Sequence, residues 1–315
     1  MISATIPSPP VSSFSIGPVT IHFYALFILT GIAIAYWWSL QRWIARDGDR
    51  DDYFDIVFVT IIVGIIGARM YHVGVNIPDY FGPGKDPLSA LRMWEGGLGI
   101  WGAVAGGGLA AFVMTRRKGV QFLALADSIA PTLFVAQAIG RLGNWANQEL
   151  HGEPSTLPWA LEITCETNGK TIVGCVPGTY QPTFLYEGLW NIAACVVVLL
   201  LAKRFAIAGG RIFLMYIIAY SAGRTLMETM RTEPSTMVFG LRIHMVIYII
   251  TGLVAIGVFA WLTVRARKKG EARSAYDTIN GDPLPRPEGR AGSETAAVPH
   301  DQGENLKNPA KYPAK

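Results

Sequence analysis

Charged residues are scarce in this chain: 16% of its 315 residues are Asp, Glu, Lys or Arg, whereas 51% are hydrophobic. Soluble domains usually carry about 25% charged residues, so this composition favours a membrane protein. The basic residues cluster at the ends of apolar segments, where membrane topology accounts for them. We therefore expect the lipid bilayer as a partner and no nucleic acid.

Cysteine is also scarce, with three residues in the chain. Cys195 lies in an apolar segment and is expected to be a small packing residue. Cys165 and Cys175 lie ten positions apart in one polar loop, without other ligand residues at metal-binding spacing. We suspect a disulfide between them if that loop faces an oxidising compartment. The sequence also lacks a zinc-type His/Glu spacing and a G-x-S-x-G motif, so we expect no metal and no cofactor.

Long apolar segments dominate the rest of the chain. A helix needs about 20 mostly apolar residues to cross a membrane, and seven segments meet this requirement: 19–40, 53–73, 96–115, 122–142, 183–202, 212–230 and 243–263. We predict an all-α polytopic membrane protein with seven transmembrane helices. In the third segment, four glycines are expected to let another helix approach closely: Gly102, Gly106, Gly107 and Gly108.

The orientation follows from the basic residues of the short loops. Loops 41–52, 116–121 and 203–211 and the segment after 263 are rich in Lys and Arg, whereas the opposite loops carry Lys85, Arg92, Lys170 and Arg242. The N-terminus is therefore predicted outside and the C-terminus in the cytoplasm. The predicted parts are an external segment 1–18, a seven-helix transmembrane domain 19–263 with an external loop 143–182, and a disordered cytoplasmic tail 264–315.

The unusual polar residues all fall in the predicted outer half of the membrane, where ionisable groups usually mark a substrate or ion path. They are His22, Tyr24, Arg69, His72, Glu95, Trp101, Arg141, Asn144, Glu149, Gln181, Tyr186, Glu187, Arg224, Glu228, Arg231 and His244. Arginines facing one outer cavity suit a phosphate group, because guanidinium offers it a fixed fork of donors. In a membrane, the abundant phosphate is a phospholipid head group.

Spacing groups some of these residues on helix faces. Arg141 and Asn144 stand at i and i+3, and Arg224, Glu228 and Arg231 stand at i, i+4 and i+7. Arg224 can therefore pair with Glu228. The alternative interpretation of that pair is a structural one, an ion pair that fastens the helical bundle.

The stretch from Gly140 to Glu149, with Gly152 beyond it, resembles the G-R-x-G-N-F-x-N-x-E-x-x-G signature of the bacterial prolipoprotein diacylglyceryl transferases. The resemblance covers about residues 14–263. Supporting matches are 14–18, 22–24, 67–69, 94–97, 182–187 and Arg224 with Glu228 and Arg231.

The resemblance implies transfer of the diacylglyceryl group from phosphatidylglycerol to the lipobox cysteine of prolipoprotein signal peptides, at the outer leaflet of the bacterial cytoplasmic membrane. A thioether forms and glycerol phosphate leaves. The implied catalytic residues are Arg224, Glu228 and Arg141. The implied substrate-binding residues are Arg141, Asn144, Glu149, Tyr24, Arg231 and Glu187.

Two positions depart from the family pattern. Trp101 stands where many members have His, and Gln181 precedes Pro182 where many have His-Pro. The proton acceptor for the thiol therefore stays open, with His22 and His72 as candidates beside a thiolate stabilised by arginines alone. The alternative function is a non-enzymatic anion or lipid transporter, which predicts polar residues continuing to the inner face; a structural scaffold would not need the clustered arginines.

Overall fold

The computed structural model describes residues 5–17, 19–93, 96–232, 235–279 and 282, and within these ranges the chain is mostly helical. The α-helices are α1 Phe23–Ile44, α2 Arg50–Val75, α3 Ile77–Phe81, α4 Ile100–Lys118, α5 Phe122–Asn147, α6 Thr183–Arg204, α7 Arg211–Glu228 and α8 Ile243–Lys269. A short 3-10 helix, Pro87–Leu91, lies between α3 and α4.

Five of these helices, α1, α2, α5, α6 and α8, are long and apolar enough to cross a membrane. The two remaining long helices, glycine-rich α4 and 18-residue α7, occupy the third and sixth predicted spans but are not among those five. The chain is therefore a polytopic membrane protein with five candidate spans. The number seven and the orientation stay predictions.

The chain is mostly helical, and it also contains short antiparallel strands that the all-α prediction did not include, paired as β1–β2, β3–β6, β4–β5 and β7–β8. They are β1 Ser13–Ile16, β2 Val19–His22, β3 Leu161–Ile163, β4 Glu166–Thr167, β5 Lys170–Thr171, β6 Gly178–Tyr180, β7 Met237–Val238 and β8 Leu241–Arg242. Consequently α1 begins at Phe23 rather than at residue 19. The β-branched residues of 19–21 favour a strand, and Gly17, at φ +59°, supplies the turn before it.

Residues 5–17 and 149–182 form the segment that we call the head. Its main anchor is Gln148, whose side-chain oxygen accepts hydrogen bonds from the backbone N–H groups of Thr164 and Cys165, each at 3.0 Å. The Gln148 amide nitrogen donates to the carbonyl of Glu166 at 2.8 Å. Cys165 and Cys175 are joined in a disulfide with their Cα atoms 5.6 Å apart. The head is thus fixed directly to the end of α5.

Three of the four glycines of α4 pack against α2, as expected: Gly102, Gly106 and Gly107. A side chain at Gly67 would bring its Cβ to 2.5 Å from the carbonyl oxygen of Gly102, and one at Gly106 would lie 2.9 Å from the carbonyl of Val63. Such backbone proximity is typical of membrane helices that associate through small residues. A Cβ at Gly108, in contrast, would have no neighbour within 4 Å among the described residues, so the expected role of Gly108 in this contact is wrong.

Asp127 fastens α5 to the beginning of α7. Its buried carboxylate accepts hydrogen bonds from the backbone N–H groups of Gly210 (2.9 Å) and Phe213 (3.0 Å), and so caps α7. Pro131 cannot donate to the carbonyl of Asp127, and Arg42 of α1 donates to that oxygen instead at 3.2 Å. These contacts give Asp127 a structural role near the end of the bundle that lies opposite the head.

The predicted disordered tail begins with ordered structure. Helix α8 continues to Lys269. Ala275 is fully buried: its N–H donates to the carbonyl of Arg46 and its carbonyl accepts from the N–H of Gln121, both at 2.7 Å. The boundary at residue 264 is therefore wrong for 264–279. Most of the predicted tail beyond that lies outside the described residues.

Candidate active site

The signature segment forms a chain of hydrogen bonds at the end of α5. Arg141 donates to the side-chain oxygen of Asn144 at 3.2 Å, and Asn144 donates to Glu149 at 3.0 Å. Asn147 also donates to Glu149, at 3.3 Å. Gln148 ends the helix in the left-handed region at φ +55° and thereby turns Glu149 back towards the last helical turn. Arg141, Asn144 and Glu149 are thus brought together, on a helix that extends five residues past the predicted end of the span.

A single buried carboxylate, Glu187, joins three arginines from separate parts of the chain. Its Oε2 atom lies 2.7 Å from Nε of Arg141. Its Oε1 atom lies 2.9 Å from Arg224 and 3.3 Å from Arg231. Glu187 stands one turn inside α6, and only 4% of the residue is exposed. The α5, α6 and α7 segments therefore meet at this carboxylate, where the ion pairs are shielded from water.

Glu228 forms a second, looser link at the end of α7. Its distance to Arg224, the partner expected from the spacing, is 3.7 Å, longer than the 2.9 Å between Arg224 and Glu187. A closer partner is Arg242, whose Nε lies 3.3 Å from Glu228. The predicted pair therefore exists, but Glu187 is the nearer carboxylate to Arg224.

Four guanidinium groups, of Arg141, Arg224, Arg231 and Arg242, thus share two buried carboxylates. Within the described parts of the chain, the Nε atoms of Arg224 and Arg231 are buried without a hydrogen-bond partner. A buried unsatisfied donor costs about 1–3 kcal/mol, and more when the group is charged. Excess positive charge and unused donors are what an anionic group needs for binding.

Aromatic side chains lie beside this cluster. The Arg224 guanidinium carbon lies 5.5 Å from the centre of the Tyr248 ring, within the range of a cation–π contact. A cavity of about 10 Å³, enough for one water molecule, lies beside Arg224. Its lining residues are Glu187, Trp190, Asn191, Tyr220, Gly223, Arg224 and Met227.

Sequence reasoning missed several of these neighbours. Tyr220 stands four residues before Arg224, and Asn191 stands four residues after Glu187, so the helical spacing would have found both. Arg242 was counted only as a loop charge. Its position immediately before α8 was the available signal.

The last glycine of the signature, Gly152, lies where the chain must pass very close to α7. A Cβ at this position would lie 2.9 Å from Cβ of Gln181 and 3.1 Å from the carbonyl of Met230. Gly152 also forms an isolated antiparallel bridge with Arg231. Its lack of a side chain therefore lets the head backbone reach Arg231, and Gln181 takes part through its backbone carbonyl, which accepts from the Gly152 N–H at 3.0 Å.

Tyr24 lies beside the signature segment, and the other residues of the predicted set make different contacts. The Tyr24 ring packs against Gly143, beside Asn144. Arg69 is buried, and its three guanidinium nitrogens donate to the carbonyls of Ser89, Ala90, Gly96 and Gly97, which gives it a structural role.

The remaining aromatic and histidine residues of the predicted set make other contacts. His72 packs edge-on against Tyr80, and Tyr186 accepts a hydrogen bond from Trp159 of the head. Three residues are exposed: His22, Trp101 and His244. Glu95 lies outside the described residues.

The fold and the site define a multi-pass helical membrane protein with a buried cluster of arginines and glutamates that suits an anionic group. Residues 11–261 match the family model of the prolipoprotein diacylglyceryl transferases. This chain belongs to that family.

Relatives named phosphatidylglycerol–prolipoprotein diacylglyceryl transferase agree with this assignment. The Paenarthrobacter aurescens protein is 44% identical over 282 residues, which cover 86% of this chain and 87% of the relative. The Streptomyces coelicolor protein is 42% identical, over 89% of this chain and 80% of its own. The Corynebacterium efficiens protein is 39% identical, over 96% and 97%.

Glu187 is the common partner of three arginines, which we call its hub role. Removal of its charge should therefore cause a large loss of stability. Glu187→Gln should lower the free energy of unfolding by roughly 3 kcal/mol, because breaking a buried ion pair leaves uncompensated charge. Glu162→Gln, at an exposed position of β3, is the matched control. Thermal unfolding of both variants in detergent measures the difference. A Glu187→Gln protein within about 0.5 kcal/mol of the parent, the usual range for surface changes, would contradict the hub role.

Proposed function

We propose that this chain transfers the diacylglyceryl group of phosphatidylglycerol to the cysteine thiol of prolipoproteins, at the cluster centred on Glu187. The sulfur forms a bond to the glyceryl carbon, and the bond from that carbon to the phosphate oxygen breaks. Glycerol phosphate leaves with the electron pair, and the thiol proton passes to water. Membership in the family supports the reaction, and the relatives' names supply both substrates.

The observation that carries the assignment of the site is the pair of unused guanidinium donors on Arg224 and Arg231. Negative charge grows on the phosphate oxygen as the bond to carbon breaks, and preorganised donors at that oxygen stabilise the transition state. Arg141 is held by Glu187 and Asn144 and supplies a third guanidinium. In this proposal, Arg141, Arg224 and Arg231 bind the phosphate.

The carboxylates and amides position these arginines. Glu187 fixes the spacing of the three guanidinium groups, and Glu228 holds the far side of Arg224. Asn144 and Glu149 orient Arg141 through the hydrogen-bond chain of the signature. Tyr24, packed on Gly143, lines the pocket beside them. The reaction then needs no metal and no cofactor, because the leaving group is already stabilised by fixed cations.

The transporter alternative is disfavoured by the polar residues of the opposite bundle end. The side chains of Asp127, Ser128 and Thr132 are buried in α5, and each bonds to the protein backbone. A transport path needs polar groups that can bind a passing anion. In the described part of α5 these groups are already occupied, so they do not extend the arginine cluster towards that end.

We place the site in the outer leaflet, with the head as its external roof and residues after α8 in the cytoplasm. The loop charges support this orientation. It predicts that Thr156→Cys, in the exposed part of the head, reacts with a membrane-impermeant maleimide in intact cells. Lys268→Cys, at the end of α8, should react only after lysis. Labelling of the two positions in the opposite order would show that the orientation is reversed.

Arg141→Ala should lower the transfer rate by about 100-fold or more, the typical cost of losing one transition-state donor. Arg141→Lys should also be slow, because a point charge cannot replace the two-pronged guanidinium. Glycerol phosphate released from phosphatidylglycerol in the presence of a lipobox peptide measures the rate. Arg92→Lys, in an exposed ion pair with Asp86, is the control. Near-parental turnover by Arg141→Ala would show that Arg141 does not stabilise the transition state. An inactive parent protein would contradict the proposed reaction.

The thiol proton requires no histidine in this proposal. Trp101 offers only a donor, so the arginines must stabilise the thiolate, whose parent thiol has a pKa of about 8.5. The rate should therefore rise with pH towards the pKa of the bound thiol, which the arginines lower, because the thiolate fraction rises. His22→Gln and His72→Gln should each keep most of the activity. A loss of about 100-fold in kcat, the contribution of a general base, would identify that histidine as the base.

A further inference from the structure

Arg242 links the beginning of α8 to the end of α7, where Glu228 and Arg231 lie. It is the last residue of β8 and immediately precedes α8. Its side chain turns back to α7 and is largely buried, with 15% of its area exposed. This contact joins Glu228 and Arg242, which stand 14 positions apart in the sequence, at the edge of the arginine cluster.

The Arg242 guanidinium contacts the end of α7 and the residues that follow it. Nε lies 3.3 Å from the Glu228 carboxylate, and Nη1 donates to the Glu228 carbonyl at 3.4 Å. Nη1 also donates to the carbonyl of Arg231. The final carbonyls of a helix lack partners within the helix, so a cation that reaches them satisfies them and favours the local dipole.

The two residues that Arg242 contacts are Glu228 and Arg231. Glu228 pairs with Arg224, and Arg224 and Arg231 are the arginines with unused donors in the proposed phosphate site. Glu228 lies 3.7 Å from Arg224, which has the nearer partner Glu187. Arg231 also bonds to Glu187, and its backbone pairs with Gly152 of the head. A change at Arg242 would therefore act on Arg224 through a side chain and on Arg231 through the backbone.

We propose that Arg242 is a positioning residue that sets the geometry of Arg224 and Arg231 towards the phosphate of the lipid substrate. The inference rests on the proposed function, because it gives those two arginines the phosphate-binding role. Arg242 itself needs no contact with the reacting atoms. Arg242 balances the charge of Glu228 and fixes the chain that carries Arg231. In this way it keeps the unused Nε donors of Arg224 and Arg231 in place.

The test compares Arg242→Gln, Arg242→Lys, Glu228→Gln and the Arg242→Gln/Glu228→Gln double variant, with Arg92→Gln as the control. Arg92 is an arginine in an exposed ion pair outside the cluster. Each protein is purified at full length, and kcat and KM are measured separately for phosphatidylglycerol and for the lipobox peptide. Thermal unfolding reports whether each variant is folded.

We expect Arg242→Gln to lower kcat/KM for phosphatidylglycerol by about 10- to 100-fold, since small displacements of positioning groups have effects of this order. The KM for the peptide should stay at the parental value. Arg242→Lys should recover part of the loss, and the double variant should fall less than the product of the single changes, because Arg242 acts partly through Glu228. Arg92→Gln should match the parent.

Three results would overturn the inference: a kcat/KM for phosphatidylglycerol within about threefold of the parent, a fall in kcat that merely follows the unfolded fraction, or effects that multiply in the double variant. If Arg242→Gln does not fold, a folded Arg242→Lys with parental kinetics also overturns it, and a folded, slow one supports it. If the parent protein shows no transfer, the proposed function fails. The inference is then decided by whether phosphatidylglycerol raises the unfolding temperature of the parent but not of Arg242→Gln.

Discussion

The ion pairs of Glu187 are the constraint on which the site depends. Like charges repel strongly where water is excluded, so Arg141, Arg224 and Arg231 can share one buried region only around a carboxylate. That carboxylate leaves the cluster with excess positive charge and two unused donors. The same interactions also join α5 and α6 to the end of α7. In the proposed function, the phosphate of the substrate supplies acceptors for these two donors.

The surrounding structure brings these charges together by close backbone approach. Gly152 lets the head pass beside Met230 and Arg231, and Gly143 makes room for the Tyr24 ring. Gln148 joins the part of the head that contains Thr164 and Cys165 to the last turn of α5. Asp127 fixes α7 to α5 at the other end of the bundle. The helices that carry Arg141 and Arg224 are therefore held at both ends, which limits the movement of the guanidinium groups between them.

Part of the site followed from local spacing. Arg141 with Asn144, and Arg224 with Glu228, stand at intervals that place side chains on one helix face, and both pairs are in contact. The same rule applied to Tyr220 and Asn191 would have found two more lining residues. The position of Arg69 in the predicted outer half of the membrane does not indicate a functional role. A buried arginine can donate entirely to backbone carbonyls of a nearby loop, as Arg69 does. Its structural role depends on the positions of residues 89–90 and 96–97, which no spacing within α2 reveals.

The sequence by itself determined the membrane class, the apolar segments and the signature of the family, because hydrophobic length and motif spacing are local properties. It also placed Cys165 and Cys175 in one loop. Only the tertiary structure decided that Glu187 is the common partner of three arginines and that Arg242 reaches Glu228. These residues come from four separate segments. Which carboxylate an arginine selects depends on differences of about an ångström between packed helices, and those differences arise only when the whole bundle is assembled.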